Sequence, residues 1–237
     1  MRLSRSGDNR AGTADASVGA ALTPTDRLVC NVAMTARDAD STRRKLLEAA
    51  FEEIHRHGFQ AASIANILEH TGLTKGALYH HFPTKQDLGL AVIDEVIGAR
   101  LEERVFGPLR TSRTPMATLL EVIGGSLGRY RDTEAIRLGC PLNNLMQEMS
   151  PLDDAFKQRL NGILATWGRT VEDALSRARR AGGLRAGVDC RAAALFIVSA
   201  WEGCIGIAKS LQSPDSIGLC MQQLQGYVRD LMAAPGG

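Results

Sequence analysis

Three features of the sequence predict an all-α chain. Aromatic residues make up only 5% of it, whereas strands favour aromatic and β-branched side chains. Ala, Leu, Arg, Glu and Gln, which suit helices, are abundant. From Thr42 onward apolar residues recur at helical spacing, with Leu47, Ala50, Phe51 and Ile54 at i, i+3, i+4 and i+7.

The 237 residues are 44% apolar and 23% charged, ordinary for a globular protein, and net charge is +2. No global basic field marks a partner, so any nucleic-acid site must be local. No uninterrupted apolar run reaches the roughly 18 residues of a membrane span, and Val18 to Leu22 is too short for the core of an export signal. A cytoplasmic location with no membrane partner is expected. The five cysteines, Cys30, Cys140, Cys190, Cys204 and Cys220, show no C-x-x-C spacing, and their odd number argues against a disulfide scaffold. The five histidines, His55, His57, His70, His80 and His81, lie in one stretch without acidic or Cys partners at ligand spacing, so no metal or other cofactor is expected.

Residues 1–40 are small and polar and are expected to form a disordered tail. Met34 opens a stretch that looks like an ordinary protein start and is a candidate initiation site. The first helix runs from Thr42 to His57, with Gly58 suited to the C′ position. Ser63 is a good N-cap for a second helix, with Ile64, Ile67 and Leu68 inward. That helix ends near Thr71-Gly72. A third begins at Thr74 and must stop by Phe82, because Pro83 disfavours helix in the residue before it. Thr84 caps a fourth, with Asp87 at N3 in a weaker form of the capping box. Downstream, Asp87 to Val105, Pro115 to Arg131, Gly139 to Met149, Pro151 to Arg180, Cys190 to Leu211 and Pro214 to Met232 read as helices. Residues 41–86 thus form a small N-terminal domain and residues 87–237 a larger helical one.

Ser63 to Phe82 has the form of a helix-turn-helix. Gly72 suits the tight turn because it tolerates positive φ. Thr74 caps the second helix, and Leu73 and Leu78 at N′ and N4 form a hydrophobic staple that sets the angle between the helices. The outer face of the second helix carries Lys75, Gly76, Tyr79 and His80. Thr74 and Lys75 sit at a helix N-terminus, where free N–H groups favour phosphate. Gly76 costs about 1 kcal/mol against Ala in a helix, and close approach of backbone to DNA would explain it. Tyr79 and His80 can donate to phosphate or reach base edges. A small three-helix unit without DNA binding is the other reading of the same pattern.

The run T-R-R-K-L-L-E-A-A-F-E-E-I-H-R-H-G-F, continuing to S-I-A-N-I-L-E-H-T-G-L-T-K-G-A-L-Y-H-H-F-P-T-K-Q-D-L, resembles the N-terminal domain of the TetR family over Thr42 to Leu88. The departures are small. Ile54 stands where an aromatic is usual, and Leu68 and His70-Thr71 replace a commoner I-A-E-R-A-G run. The resemblance implies an all-helical homodimer with a three-helix DNA-binding domain and a larger ligand-binding domain. It implies repression at a palindromic double-stranded operator, relieved by a small-molecule or electrophile effector. Carried over by position, Thr42 and Arg43 should approach phosphate or the minor groove. Ser63 should contact phosphate. Thr74, Lys75, Gly76, Tyr79 and His80 should form the recognition surface, and Lys85 should clamp the DNA backbone.

In the second domain, Gly139 to Ser150 looks like the G-C-x-x-x-N-x-x-x-E motif of one TetR subgroup. Cys140, Asn144 and Glu148 at i, i+4 and i+8 form one stripe on a helix. They would line a pocket, or place a reactive Cys140 at a helix N-terminus that favours the thiolate. A buried structural Cys140, with Asn144 and Glu148 bonding nearby backbone, is the other reading. Trp201-Glu202-Gly203 also recurs in that subgroup. Trp201 would wall a pocket, and Glu202 would meet a cationic or hydroxyl-bearing ligand; core packing of Trp201 beside a solvated Glu202 is the alternative. Cys190, Cys204 and Cys220 read as small core residues.

Ile217, Met221, Leu224, Val228 and Leu231 follow 4-3-4-3 spacing, the seam of a dimer interface or of intramolecular packing. An activator on the same fold would keep the DNA site. An enzyme using Cys140 lacks an adjacent base and a Gly-rich phosphate loop, so no enzymatic activity is expected.

Overall fold

The computed structural model describes residues 24–130 and 133–233, with side chains from Asp38 onward. The chain divides into two units, Met1–Ser41 and Thr42–Gly237. Among the described residues there is no strand, only a lone bridge between Leu184 and Met232. The first helix, α1, spans Pro24–His57. Residues 24–40 are therefore helical rather than the disordered tail expected there. The physical reason is that no Gly or second Pro interrupts the chain between Pro24 and His57, and Pro24 itself fits a first helical turn. Residues 1–23 of that expected tail lie outside the described residues.

In the second unit, the end of α1 packs with α2 (Ile64–Thr71) and α3 (Lys75–His81). Local chemistry explains each boundary. Ser63 accepts the Asn66 N–H, and Thr74 accepts the Ala77 N–H at 3.2 Å. Gly72 adopts φ +66°, which lets its N–H close onto Leu68 O between the two helices. Leu46, Phe51, Ile67, Leu78 and Phe82 fill the space they enclose.

The next helix, α4, covers 85–111. It begins with a complete capping box between Thr84 and Asp87. It is α-helical over Lys85–Ala91, π-helical over Val92–Ile97, α-helical over Gly98–Leu101, π-helical over Glu102–Phe106 and α-helical again over Gly107–Thr111. Then follow α5 (Pro115–Arg129), α6 (Thr133–Leu138), α7 (Pro141–Met149), α8 (Asp154–Arg180), α9 (Cys190–Leu211) and α10 (Pro214–Asp230). Helices α8 and α10 both pack on α9 and on α5. Helix α9 has the length and apolarity to cross a membrane, which the sequence reading did not register. One face of it serves the core, where Ala194, Ile197, Trp201, Ile205 and Ala208 are buried.

Two sequence expectations change here. Ile217, Met221, Leu224, Val228 and Leu231 are all buried within the single chain, so this seam is not a free dimer face. Its period reports a buried stripe and is silent on what buries it. The outward face of α9 and α10 instead exposes Leu195, Phe196, Ile207, Leu211 and Leu219. Second, Cys204 and Cys220 are joined by a disulfide rather than packed as separate thiols. The pairing of α9 with α10 brings their Cα atoms to 5.5 Å.

Candidate nucleic-acid interface and cavity

The residues assigned to DNA contact fall into two groups. Thr74, Lys75, Gly76, Tyr79 and His80 form one solvent-exposed face of α3. Leu78, fully buried on the opposite side, holds that face outward. Lys75 Nζ lies 5.8 Å from the Tyr79 ring centre, a contact along the exposed surface. A Cβ added to Gly76 would meet nothing nearer than Thr74 Oγ1 at 3.8 Å. No packing within the chain therefore calls for glycine there.

The second group is half-buried and makes contacts within the chain. Arg43 pairs with Glu95, its Nη2 donating at 2.7 Å, and its guanidinium lies 4.9 Å from the Phe82 ring centre. Lys85 Nζ donates to Gln60 O at 2.9 Å and sits over the Phe59 ring. Both were expected on phosphate; in the structure both tie α4 to the first three helices. Ser63 is occupied as an N-cap, and its N–H donates to the buried Glu53 carboxylate at 2.9 Å. Thr42, at the opening of the second unit, is half-buried.

The Gly139–Glu148 motif divides between two hollows, with Cys140 lining one and Asn144 and Glu148 lining the other. Each of its members meets a different neighbour. Cys140 is the N-cap of α7 and its thiol donates to Glu202 Oε1 at 3.4 Å. Asn144 donates to Leu138 O at 2.8 Å and accepts from Lys209 Nζ at 2.7 Å. Glu148, at the far end, accepts the Phe59 N–H at 2.8 Å and the Gln60 N–H at 2.9 Å. A Cβ on Gly58 would stand 2.8 Å from Glu148 Oε2, so this close approach requires glycine at the α1 terminus. His55 Nε2 donates to Gly139 O at 2.9 Å beside the start of α7. One short helix thus contacts the helix-turn-helix region at both ends.

The start of α7 also walls a cavity of about 390 Å³, bounded by α1, α4, α5, α6, α8 and α9. Trp167 and Trp201, the only two tryptophans of the chain, line it with rings 5.2 Å apart. Trp201 Nε1 donates to Ser126 Oγ at 3.1 Å. Glu202 is buried rather than solvated, which pushes its carboxyl up to about 7. A neighbouring crevice of about 620 Å³ shares Phe51, His55, Ile97 and Pro141 with this cavity and reaches Glu148.

Burial also pushes the Cys140 thiol well up, helped by the charge of Glu202; backbone N–H groups of α7 act the other way but are outweighed. The expectation of an activated thiolate at the helix N-terminus is thereby reversed, because desolvation exceeds the dipole. Cys140 is expected to react with an aromatic disulfide reagent at pH 8 at least tenfold more slowly than a free thiol. Peptide mapping of the labelled site checks this, and labelling of Cys140 at the free-thiol rate would contradict it. Sequence reasoning missed Trp167, Tyr130, Arg104 and Arg129 at the cavity. Their spacing resembles that of any helix face.

A short helix with a bare outer face, held by a capped turn against two others and joined to a helical body with an internal cavity, defines a helix-turn-helix regulator. The comparisons name its kind. Residues 46–92 match the family model for bacterial regulatory proteins of the tetR family, and residues 115–224 match the tetracyclin repressor-like C-terminal domain. The transcriptional regulator AcuR of Cereibacter sphaeroides is 33% identical over 187 residues, covering 77% of this chain and 83% of that one. The transcriptional repressor DhaR of a Mycobacterium species is 24% identical, covering 69% and 80%. The crystal structure of regulatory protein TetR from Rhodobacter sphaeroides is 29% identical with a TM-score of 0.69, covering 80% and 98%. The chain belongs to the TetR family of transcriptional regulators, which are DNA-binding proteins rather than enzymes.

Proposed function

We propose that the protein is a homodimeric repressor that binds a palindromic operator through α3 and is released when a small molecule enters the cavity beside α7. The observation that carries the reading is the exposed Thr74–His80 face with an unobstructed Gly76 at its centre. A helix of this length fits the major groove, and a dimer would present two such helices to half-sites about 34–36 Å apart. DhaR, a relative, is itself named a repressor. Action on the chromosome places the protein in the cytoplasm.

A shift assay on the DNA upstream of its own gene, across a salt series, tests the reading. Specific binding that weakens steeply with salt supports it; absence of binding there and in a genome-wide selection counts against it. Lys75→Ala and Tyr79→Ala are each expected to weaken operator binding by about 1–3 kcal/mol, and Lys75→Ala to lower the salt slope by about 1. Unchanged affinity in both would remove α3 as the reading element.

Dimerisation through the apolar face of α9 and α10 would cover Leu195, Phe196, Ile207, Leu211 and Leu219, which otherwise leave a large apolar area in water. Leu219→Asp is expected to shift sedimentation toward the monomer and to weaken operator binding. A dimer as tight as that of the unaltered protein would refute this face.

A further inference from the structure

We propose that the cavity bounded by Trp167, Trp201 and Glu202 binds a small organic carboxylate, its apolar body against the two indoles and its carboxylate held by the Trp167 N–H, the Glu202 acid and the Arg129 guanidinium. This rests on the regulator reading for its biological meaning and deepens it by naming the effector class.

Unanswered polar atoms carry the assignment. Among the described residues, Trp167 Nε1 and Glu202 Oε2 are buried without a hydrogen-bond partner, and both residues line this one cavity. Trp167 is 2% exposed and Glu202 7%. A buried polar group left unpaired costs about 1–3 kcal/mol, so two in one cavity point to a bound group that answers them. The Trp167 N–H demands an acceptor. Glu202 Oε1 already accepts from Cys140, which leaves Oε2 to carry the acid proton and donate it.

The charged groups lining the cavity are Arg100, Arg104, Arg129 and His55 against Glu52, Glu134 and Glu202. Arg129 donates to Ser126 Oγ, and among the described residues neither Arg129 nor Arg104 is paired with a carboxylate. By contrast, Glu134 is answered by Arg56 and Arg137, and Arg100 by Glu48. Partial burial lowers the proton affinity of Arg129, as does the like charge of Arg104; both side chains keep contact with solvent, and a bound anion would offset the like charge. Tyr130 also lines the cavity, its phenol held neutral by burial, a further donor. Donors thus outnumber acceptors. The volume of about 390 Å³ lies at the small end of ligand sites, which suits a molecule of about a dozen heavy atoms.

The titratable and charged groups that line the cavity with Glu202 are Cys140 at the start of α7 and Tyr130 at the end of α5, both neutral at pH 7, Glu52 and His55 from α1, Arg100 and Arg104 from α4, Arg129 from α5 and Glu134 from α6. A carboxylate ligand needs Glu202 protonated. With that carboxyl near 7, affinity holds below pH 6 and falls about tenfold between pH 6 and 8. A cationic ligand would show the opposite sign, and a neutral one a flat profile.

The test uses intrinsic fluorescence of the full-length protein without DNA, since both tryptophans report on the cavity. Probes are benzoate, benzamide and benzylamine, of matched shape, with propionate, hexanoate and cinnamate. Saturable binding of at least one carboxylate is expected, with benzoate at least tenfold tighter than benzamide and benzylamine. Affinity should fall with rising pH, Glu202→Gln should flatten that profile while retaining binding, and Arg129→Gln should weaken binding at least tenfold. No binding across the carboxylates, or preference for benzamide or benzylamine, would overturn the assignment even if both variants failed to fold. Operator release by the same carboxylates is measured separately, so loss of the repressor reading would leave the binding result intact.

Discussion

The Glu148→Ala protein is expected to bind its operator and to lose most of its response to an effector. Both carboxylate oxygens of Glu148 accept backbone N–H groups from the turn between α1 and α2, at 2.8 and 2.9 Å. Hydrogen bonds to a charged group contribute about 1.5–3 kcal/mol each. The same helix is capped by Cys140 on the cavity wall, so its nine residues link the proposed effector cavity and the helix-turn-helix region without an intervening loop. Coupling between sites of this kind is typically about 1–3 kcal/mol, which the two bonds are large enough to carry. A second link, α4, is pinned to the head by Arg43–Glu95 and to α8 by Arg159–Asp94, which preserves the fold of the variant. Anisotropy of a labelled operator, with and without effector, measures the effect. Glu148→Gln, which keeps one acceptor, should fall between. An Ala variant that releases DNA as fully as the parent would show that α7 is not the route.

The other large effect concerns stability and pH. Burial raises the Glu202 carboxyl from 4.5 to about 7, so the folded chain favours its neutral form. The stability it contributes is complete below pH 4.5 and is lost as pH rises through 7, because over that range the folded state holds a proton that the unfolded state has released. The interval of about 2.5 units corresponds to roughly 3 kcal/mol at 1.36 kcal/mol per unit. Glu202→Gln is neutral at every pH. Its stability relative to the parent should therefore rise by about that amount between pH 4 and pH 8 and be level above pH 8. Urea denaturation at several pH values tests this. A constant difference across the range would mean that Glu202 is ionised in the folded protein already at pH 5.

The helix-turn-helix was legible because its determinants are local. Ser63, Thr74 and Thr84 each cap a helix that starts at the next residue, and Gly72 turns where its neighbours need it. The same locality could not foresee the contacts that Arg43 and Lys85 make within the chain. Their side chains belong to a DNA-facing edge by position, but Arg43 finds Glu95 fifty-two residues away and Lys85 finds the Gln60 carbonyl. Cys140 illustrates the opposite failure. A helix N-terminus can be read from Pro141, whereas the burial that reverses its effect comes from α9, more than fifty residues on. The α10 seam was legible as a buried stripe, and only the packing of α5 and α9 against it showed that its partner lies within the chain.

The two wide turns of α4 bear on how such a chain can change over descent. Each residue added to an α-helix rotates everything beyond it by about 100°, so an insertion between head and body would swing one around the other. A π-turn takes up one extra residue locally and passes no such rotation on. The turns at Val92–Ile97 and Glu102–Phe106 are each followed by glycine, and a Cβ on Gly107 would press to 2.9 Å on the Glu102 carbonyl oxygen. A residue gained at either place would be taken up within one wide turn, so the two ends of the helix would keep both their angular phase and nearly their separation, and the head would stay aimed as before.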